Sequence, residues 1–527
     1  MGEPSIVTSE TINHVTAIFP TRLHSALPLN LPCRYTLRQS ELTGCARNHS
    51  LFPIMKRFTV GLILCAATLI SFSTQAASVR TYGAKGDGQT DDTAAIQKAV
   101  DEAKDGVLEF PKGNYRLTKT IEIKLATRGV TSLTGMGGIG RVTMAGAGPA
   151  FRFTGTHTGS AAPESFKPAV WENERMPQVD GLEIVGAHAE ADGLEFVKVM
   201  QPTVRATLIR NVRDGIRLFE RNRNVLIDSC HIYNNTGVGV FFDRVNVHQA
   251  IIHGSHISYC KSGGIKIAAS EIRNFHFTGN DIEYNYDLKA DASADILIDV
   301  TEGSVREGTI ASNTIQAKPS PGGANIRFLG NADTNKVGVI SITGNMISSQ
   351  KVNVHLVRAR GVVLSGNVTF VGHEQALLLE GCRNVSIGTH VIDHNPDYRG
   401  DVTGGISLKG CAGITLSGLQ MEDISAGSDT EGGALEVIDS DGVNISSSQI
   451  YEPSTRGIYV QNSHNVIISD STIADRRKEP MLINSVTVTG RSKGVLIRGN
   501  ILMRGKSGDV AAEVFSTKEE GNAPYVK

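Results

Sequence analysis

The sequence predicts an all-β fold, a right-handed parallel β-helix with an N-terminal capping helix, and three observations carry that prediction. The first is a repeat in fixed register: Leu226–Asn235, Ile251–Cys260 and His276–Asn285 align at an offset of 25 residues, with Ile232, Ile257 and Ile282 in one column. A fixed period of that size marks one supersecondary unit stacked on copies of itself. The second is an opening strand that recurs as GIRL at Gly215, GVFF at Gly239, GIKI at Gly264 and GIYV at Gly457, each followed by a second strand, a turn and a third strand. The third is the turn itself, which holds Asn280, Asn313, Asn345, Asn367 and Asn500, with Ser448 and Ser471 in other coils. Stacked carboxamides bond up and down such a column. Three short strands per coil, alternating inward and outward, make a parallel β-helix. A propeller needs antiparallel hairpins, and Asn-Gly hairpin signals are scarce; the Leu/Asn consensus of leucine-rich repeats is absent.

Composition agrees and excludes some classes. The chain has 527 residues, 40% of them hydrophobic, 56 glycines and one tryptophan, the profile of a turn-rich globular protein. A stacked repeat grows in one dimension, so length does not divide the chain into domains. Formal net charge is −1, so no bulk basic field points to nucleic acid. Cys230, Cys260, Cys382 and Cys411 are too sparse for a disulfide framework; Cys382 and Cys411 fall in one column and are expected as two stacked, buried thiols.

In chain order, residues 1–54 read as an over-extended, disordered start. Residues 55–76 read as a secretory signal beginning at Met55, with a basic start, a short apolar run and small residues before cleavage after Ala76. The product is then secreted or periplasmic in a bacterial cell, with no membrane anchor after cleavage. Residues 77–110 are expected to form the cap, a helix started by Asp91 or Asp92, with Ile96, Ala99, Val100 and Ala103 on one face and Gly106 at its end. Residues 111–504 are the β-helix, interrupted early by a long loop around Trp171 that either roofs a cleft or packs against the stack. Residues 505–527 are a charged tail expected to fray.

The cap region carries a resemblance. YGAKGDGQTDDTAAIQKAV and GVLEFPKGNYRL, between Tyr82 and Leu117, resemble the N-terminal signature of the pectate-lyase-like superfamily, in its rhamnogalacturonase and epimerase-like branch. The resemblance implies the β-helix fold and a substrate groove along the first strand and its flanking turns. It does not imply a reaction. Paired aspartates followed by Gly-His-Gly and Arg-x-Lys, as in polygalacturonases, are absent; so are a pectate-lyase calcium cluster and the Asp-Pro-His-Asp of mannuronan epimerases, which HNPDYRGD at His394 only echoes. Asp87, Asp91 and Asp92 read as turn and helix-cap residues.

Inward residues fill the stack, so chemistry must use outward residues and corners. The third strands present His231 and Tyr233, then His256, then Asp281 and Glu283; the first strands present Arg217, Asp243, Lys266, Asp299 and Arg327; Tyr259 and Tyr284 stand at the corner between them. The expected catalytic set is Asp243, Lys266, His256, Asp281 and Tyr284, in one groove. The expected substrate-binding set is Arg217, His231, Tyr259, Asp299 and Arg327. A lyase needs a cation for the uronic carboxylate and a base for the C5 proton, roles open to Arg217, Lys266 and Arg327 on one side and to Tyr284, His256 or Lys266 on the other. A hydrolase needs two carboxylic acids, either Asp243 with Asp299 or Asp281 and Glu283 with Asp243. A zinc site from His231, His256 and Asp281 lacks a fourth ligand. No cofactor is expected, calcium being the one ion left open. The expected partner is an acidic polysaccharide, cleaved by a monomer through β-elimination. Hydrolysis and non-catalytic glycan binding are the alternatives.

Overall fold

The structure, a computed structural model, describes residues 77–526 apart from 104–105, 160, 334, 399–401 and 513–516. The expected start and signal, residues 1–76, lie outside the described residues.

Each coil places three strands in parallel register on the coils before and after it. In four successive coils the first and second strands run together as one long strand, Ile216–Asp228, Val240–His253, Ile265–Thr278 and Ser293–Ala311. The third strands stay three residues long, as in His231–Tyr233, His256–Ser258 and Asp281–Glu283. Inward columns are apolar and dry: Ile232, Ile257 and Ile282 on the third strands, and Ile216, Val240 and Ile265 on the first, are all 0% exposed. The outward first-strand column runs Arg217, Phe241, Lys266, Leu297, Arg327, His355 in direct register, as the sequence predicts. Side chains of one column sit about 4.8 Å apart from coil to coil, which is why a residue's neighbours lie some 25 positions away in sequence.

The turn before each third strand is buried, and its backbone amides have no water to bond. Asn280, Asn313 and Asn345 fill it, each donating through Nδ2 to Oδ1 of the next asparagine at 2.9–3.0 Å and also to a strand carbonyl. The ladder stops at His390. Alternation with Val391 as the inward aliphatic predicts His390 in the outward column of the third strands. The register pairs Val368 with Val391 instead, so Ile392 points inward and His390 drops into the buried turn, 0% exposed. Two adjacent aliphatics made the one-residue slip invisible. Its imidazole meets Thr369 Oγ1 at 3.2 Å, and burial lowers its pKa to about 4.

A second amide chain lies at the corner between third and first strands. Asn353 Nδ2 donates to Asn325 Oδ1, and Asn325 Nδ2 to Asp295 Oδ2, while Asn285 donates from the other side to Asp295 Oδ1 through both its backbone and its side chain. Asp295 is fully buried, and burial raises its pKa well above the usual carboxylate range despite these bonds. Cys230, Cys260, Cys382 and Cys411 are buried and free.

The helix, α1, spans Thr93–Glu102 and buries Ile96, Ala99 and Val100. Asp92 is its N-cap residue, yet its carboxylate does not cap the helix; it accepts from the Lys85 and Gly86 amides, while Asp91 accepts from Thr93. Asp87 is a turn residue, its pKa lowered to about 2 by the Gln89 and Thr90 amides. The helix ends at Ala103 rather than Gly106. Ala77–Ser78 already pairs with Leu108–Glu109, so coil winding begins inside the segment expected to be cap alone. At the other end, Val510–Ala512, Thr517–Glu520 and Ala523–Pro524 each add a strand to an existing ladder. The tail expected to fray is a further coil, held by main-chain bonds and by Asn522 extending the Asn500 ladder. Its charged composition concealed it because a terminal coil has only one neighbour to pack on. The loop around Trp171 packs against the stack: Phe166 stacks on His157, and Arg223 lies over the Phe166 ring at 4.2 Å.

His390 generates a test. Its folded pKa lies below the usual 6.5, so between those values the unfolded chain binds a proton that the native state refuses, and stability is present above pH 6.5 and lost as pH falls. His390→Asn, which restores a carboxamide at the turn, is expected to lessen by about 2 kcal/mol the stability lost between pH 7 and pH 5, read from urea midpoints at the two pH values.

Candidate functional site

The predicted groups divide into two clusters. On the third strands, consecutive coils bring five polar side chains into one hydrogen-bonded chain. Tyr233 Oη lies 3.0 Å from His231 Nδ1 and 2.9 Å from His256 Nδ1. His256 Nε2 is 3.3 Å from Asp281 Oδ2. One ligand atom each of His256, Asp281 and Glu283 lie within 4.8 Å of one another. Burial raises the Glu283 carboxyl above its usual range, and the Asp281 carboxylate beside it adds to the rise. Burial likewise raises the Tyr233 phenol. The period of 25 residues explains the geometry: with no insertion between coils, His231, His256 and Asp281 stack in direct register.

The corner that follows these strands opens into a cavity of about 560 Å³, lined by Tyr259, Tyr284, Tyr286, Lys261, Lys289 and their neighbours. The Tyr259 and Tyr284 rings stack 5.3 Å apart with only 3° between their planes. Both residues hold positive φ, 60° and 56°, as does Asn234 one coil earlier at 53°. The left-handed corner therefore belongs to the fold, and tyrosine in place of asparagine is a matter of content, at a backbone cost for a bulky residue. Burial raises the Tyr284 phenol, and the adjacent Glu283 adds to it. Tyr398 reaches back from the HNPDYRGD loop to accept from Gln316 Nε2 at 3.0 Å.

The first-strand groups are engaged differently. Asp243, 6% exposed, accepts from Arg217 Nε at 2.9 Å and from Arg244 at 2.9 Å. Arg217 also binds Glu195 at 2.6 Å; Glu195 pairs with Arg152, and Arg152 with Glu122 at 2.7 Å. Asp243 and Arg217 thus close a run of alternating charges across the coils. Arg327 is 5% exposed and donates to the Ser293 and Gly322 carbonyls and to His355 Nδ1, whose Nε2 meets Glu380 at 2.7 Å; burial lowers its pKa to about 10. Asp299 accepts from the Thr301 amide and hydroxyl, a turn role. Lys266 lies 5.6 Å from the Phe241 ring centroid. The cavity takes in Tyr259 and Tyr284; Asp243 and Lys266 are not among its lining residues, and neither are His256 and Asp281. A lone sequence marks these residues as outward but not as mutually paired, because their partners sit one coil away. Tyr233 and Lys289, which join the clusters, were not among the expected site residues; Tyr233 carried the signal of sharing a column with Glu283.

The trio His256, Asp281 and Glu283 offers one imidazole and two carboxylates, with Glu283 standing where His231 was the expected third ligand. Three donors, one of them nitrogen, do not fit calcium, which takes six to eight oxygens.

Comparison with known proteins places the fold. A family model for the right-handed β-helix region matches residues 171–310 and 375–519, more than half of the chain. The chain belongs to the right-handed β-helix family. The first coils of this β-helix protein, residues 76–174, match the rhamnogalacturonase A/epimerase, pectate lyase-like model, in agreement with the resemblance carried by the cap. A stretch of 47 residues is 51% identical to a probable glucan endo-1,3-beta-glucosidase of Arthroderma benhamiae, covering 9% of this chain and 5% of that protein. Among solved structures, the N-terminal fragment of bacteriophage Phi29 gene product 12 matches with a TM-score of 0.50 and 15% identity over 83% of this chain and 72% of that one. The A-module of an Azotobacter vinelandii mannuronan C-5 epimerase matches at 0.35 and 14% over 86% and 100%. The likeness to the Phi29 gene product 12 fragment is one of fold.

The burial of Asp243 yields a prediction about stability. Asp243→Ala leaves Arg217 and Arg244 without their shared acceptor and is expected to destabilise the protein by about 2–3 kcal/mol, seen as a lower urea midpoint.

Proposed function

We propose that this β-helix protein binds and cleaves an acidic polysaccharide at the corner formed by Tyr259 and Tyr284. The observation that carries the reading is the cavity itself, where two parallel tyrosine rings and the lysines Lys261 and Lys289 share one wall. Parallel rings spaced along the solenoid axis offer a platform to successive sugar rings, and ammonium groups beside them favour a carboxylated chain. The match of the first coils to a rhamnogalacturonase and epimerase, pectate lyase-like model supports a polysaccharide substrate.

The reaction is β-elimination. Tyr233, His256 and Asp281 form a relay in which Asp281 orients the imidazole and His256 Nδ1 faces the phenol, the arrangement by which a weak acid is activated by a base held by a third group. As the Tyr233 oxygen takes the C5 proton, its own proton passes to His256. The electron pair left on C5 forms the C4–C5 double bond, the C4–oxygen bond breaks, and the leaving oxygen takes a proton from Tyr284, whose raised pKa keeps it protonated at neutral pH. Lys261 and Lys289 offset the uronic carboxylate. Hydrolysis is the second reading, supported by two carboxyl groups, Asp281 and Glu283, standing side by side with ligand atoms within 4.8 Å, since glycoside hydrolysis uses a pair of carboxylic acids.

The two readings separate in one assay on polyuronate and neutral glycans, following the unsaturated-sugar absorbance together with reducing ends. Elimination gives both signals; reducing ends alone reverse the choice in favour of hydrolysis, and binding without turnover assigns the protein to glycan binding. Tyr233→Phe is expected to lower kcat at least a hundredfold with KM little changed, whereas Lys261→Ala raises KM.

We also propose that the protein is exported and acts as a monomer, its mature chain starting at Ala77. Mass spectrometry of the N-terminus of the exported protein tests this, and a peptide from before Met55 would overturn it.

A further inference from the structure

Outward residues at the start of the second strands form a second column, far from the corner in the coil's circuit. In direct register it runs Arg223, His248, Arg273, Arg306, Gly338, Arg360, Arg383. Up to Arg273 the charges are occupied: Arg273 donates to Ser304 and lies 3.6 Å from Glu271. Beyond it Arg360 donates to Asn335 Oδ1, a neutral acceptor. Among the described residues, no carboxylate comes within ion-pair distance of Arg306, Arg360 or Arg383, although the first-strand arginines Arg152 and Arg217 each hold two. Asp333, which feels the charge of Arg306, is paired with Lys336. Arg306 Nε is buried with no hydrogen-bond partner, a donor left unsatisfied.

Gly338 interrupts the file. A Cβ there would collide with the Arg360 carbonyl oxygen, so no side chain can stand between Arg306 and Arg360. The gap is a notch of about 240 Å³ lined by Arg306, Arg360, Asn335, Val337, Val339 and Asn384 among others. It has donors on both flanks and an apolar floor edge at Val339, which is 61% exposed.

We propose that this arginine file is a binding track for one strand of an acidic polysaccharide, with an anionic group seated in the Gly338 notch between Arg306 and Arg360. Guanidinium positions advance by about 4.8 Å per coil, close to the advance of an extended glycan per sugar, so ligand and track keep step. Guanidinium forks match carboxylate or sulfate geometry. Single-stranded nucleic acid is disfavoured, because its binding without sequence preference relies on aromatic stacking platforms and no aromatic residue lines the notch. The proposal shares the acidic-glycan reading of the corner but none of its residues.

The test is equilibrium binding of the full chain to polygalacturonate over a salt series, with dextran and single-stranded DNA as comparators. Arg306→Ala/Arg360→Ala/Arg383→Ala is expected to weaken polygalacturonate binding at least tenfold and to flatten its salt dependence, while Tyr259→Ala/Tyr284→Ala keeps the salt-dependent part. Because Arg306 is half-buried, Arg360→Gln/Arg383→Gln, at two exposed positions, repeats the measurement without touching it. Unchanged affinity in both arginine variants overturns the track, as does tighter binding of DNA than of polygalacturonate. Loss confined to the tyrosine variant removes the track and leaves the corner standing; loss confined to the arginine variants does the reverse.

Discussion

The structure depends on the buried backbone at the turn before each third strand. Amides there are shielded from water, and an unpaired buried amide is costly. A stacked asparagine solves this for two coils at once, since one carboxamide accepts from the preceding coil's backbone and side-chain amides and donates to the next asparagine. The same bond holds the turns of Asn280, Asn313 and Asn345 in step, and Ser255 carries it back to Cys230. With parallel strand pairing, such turns let outward residues 25 or more positions apart meet as neighbours, whether as a proton relay, a charge ladder or a file of arginines.

Much of the fold was legible because the forces that build it recur. Ile232, Ile257 and Ile282 announce one inward column, and the asparagines announce the turn. Reading failed where the recurring signal was ambiguous or absent. Val391 and Ile392 are both aliphatic, so the frame slipped by one residue and His390 was placed outside. The last coil has little apolar content, and only main-chain pairing reveals it. Of the candidate site, the column of His231, His256 and Asp281 and the tyrosine corner could be read from the repeat. The engagement of Asp243, Arg217 and Arg327 could not, since outward position in a sequence carries no information about the partner in the next coil. The arginine file escaped notice because its members are spaced irregularly by loops of different length and align only once the coils are wound.

The two outward surfaces differ in how their charges are settled. On the first strands, Glu122, Arg152, Glu195, Arg217 and Asp243 neutralise one another along the stack. On the third strands and at the corner, burial raises the Glu283 and Tyr284 pKa values, and Asp281 beside Glu283 and Glu283 beside Tyr284 add to the rise. Unsettled electrostatics of this kind is what chemistry uses.

Asp295 has a consequence for how such a chain grows. Carboxamides on its N-terminal side donate forward into it, and those on its C-terminal side donate backward. An aspartate side chain accepts on each of its two oxygens, Oδ1 from Asn285 and Oδ2 from Asn325, so it can stand where the two senses collide. The solenoid therefore has a polarity boundary at this corner. Coils on one side are interchangeable with each other as hydrogen-bonding modules, but a coil moved across Asp295 would present a donor to a donor. Duplication or deletion of whole coils is compatible with the stack on either side of that residue and frustrated through it.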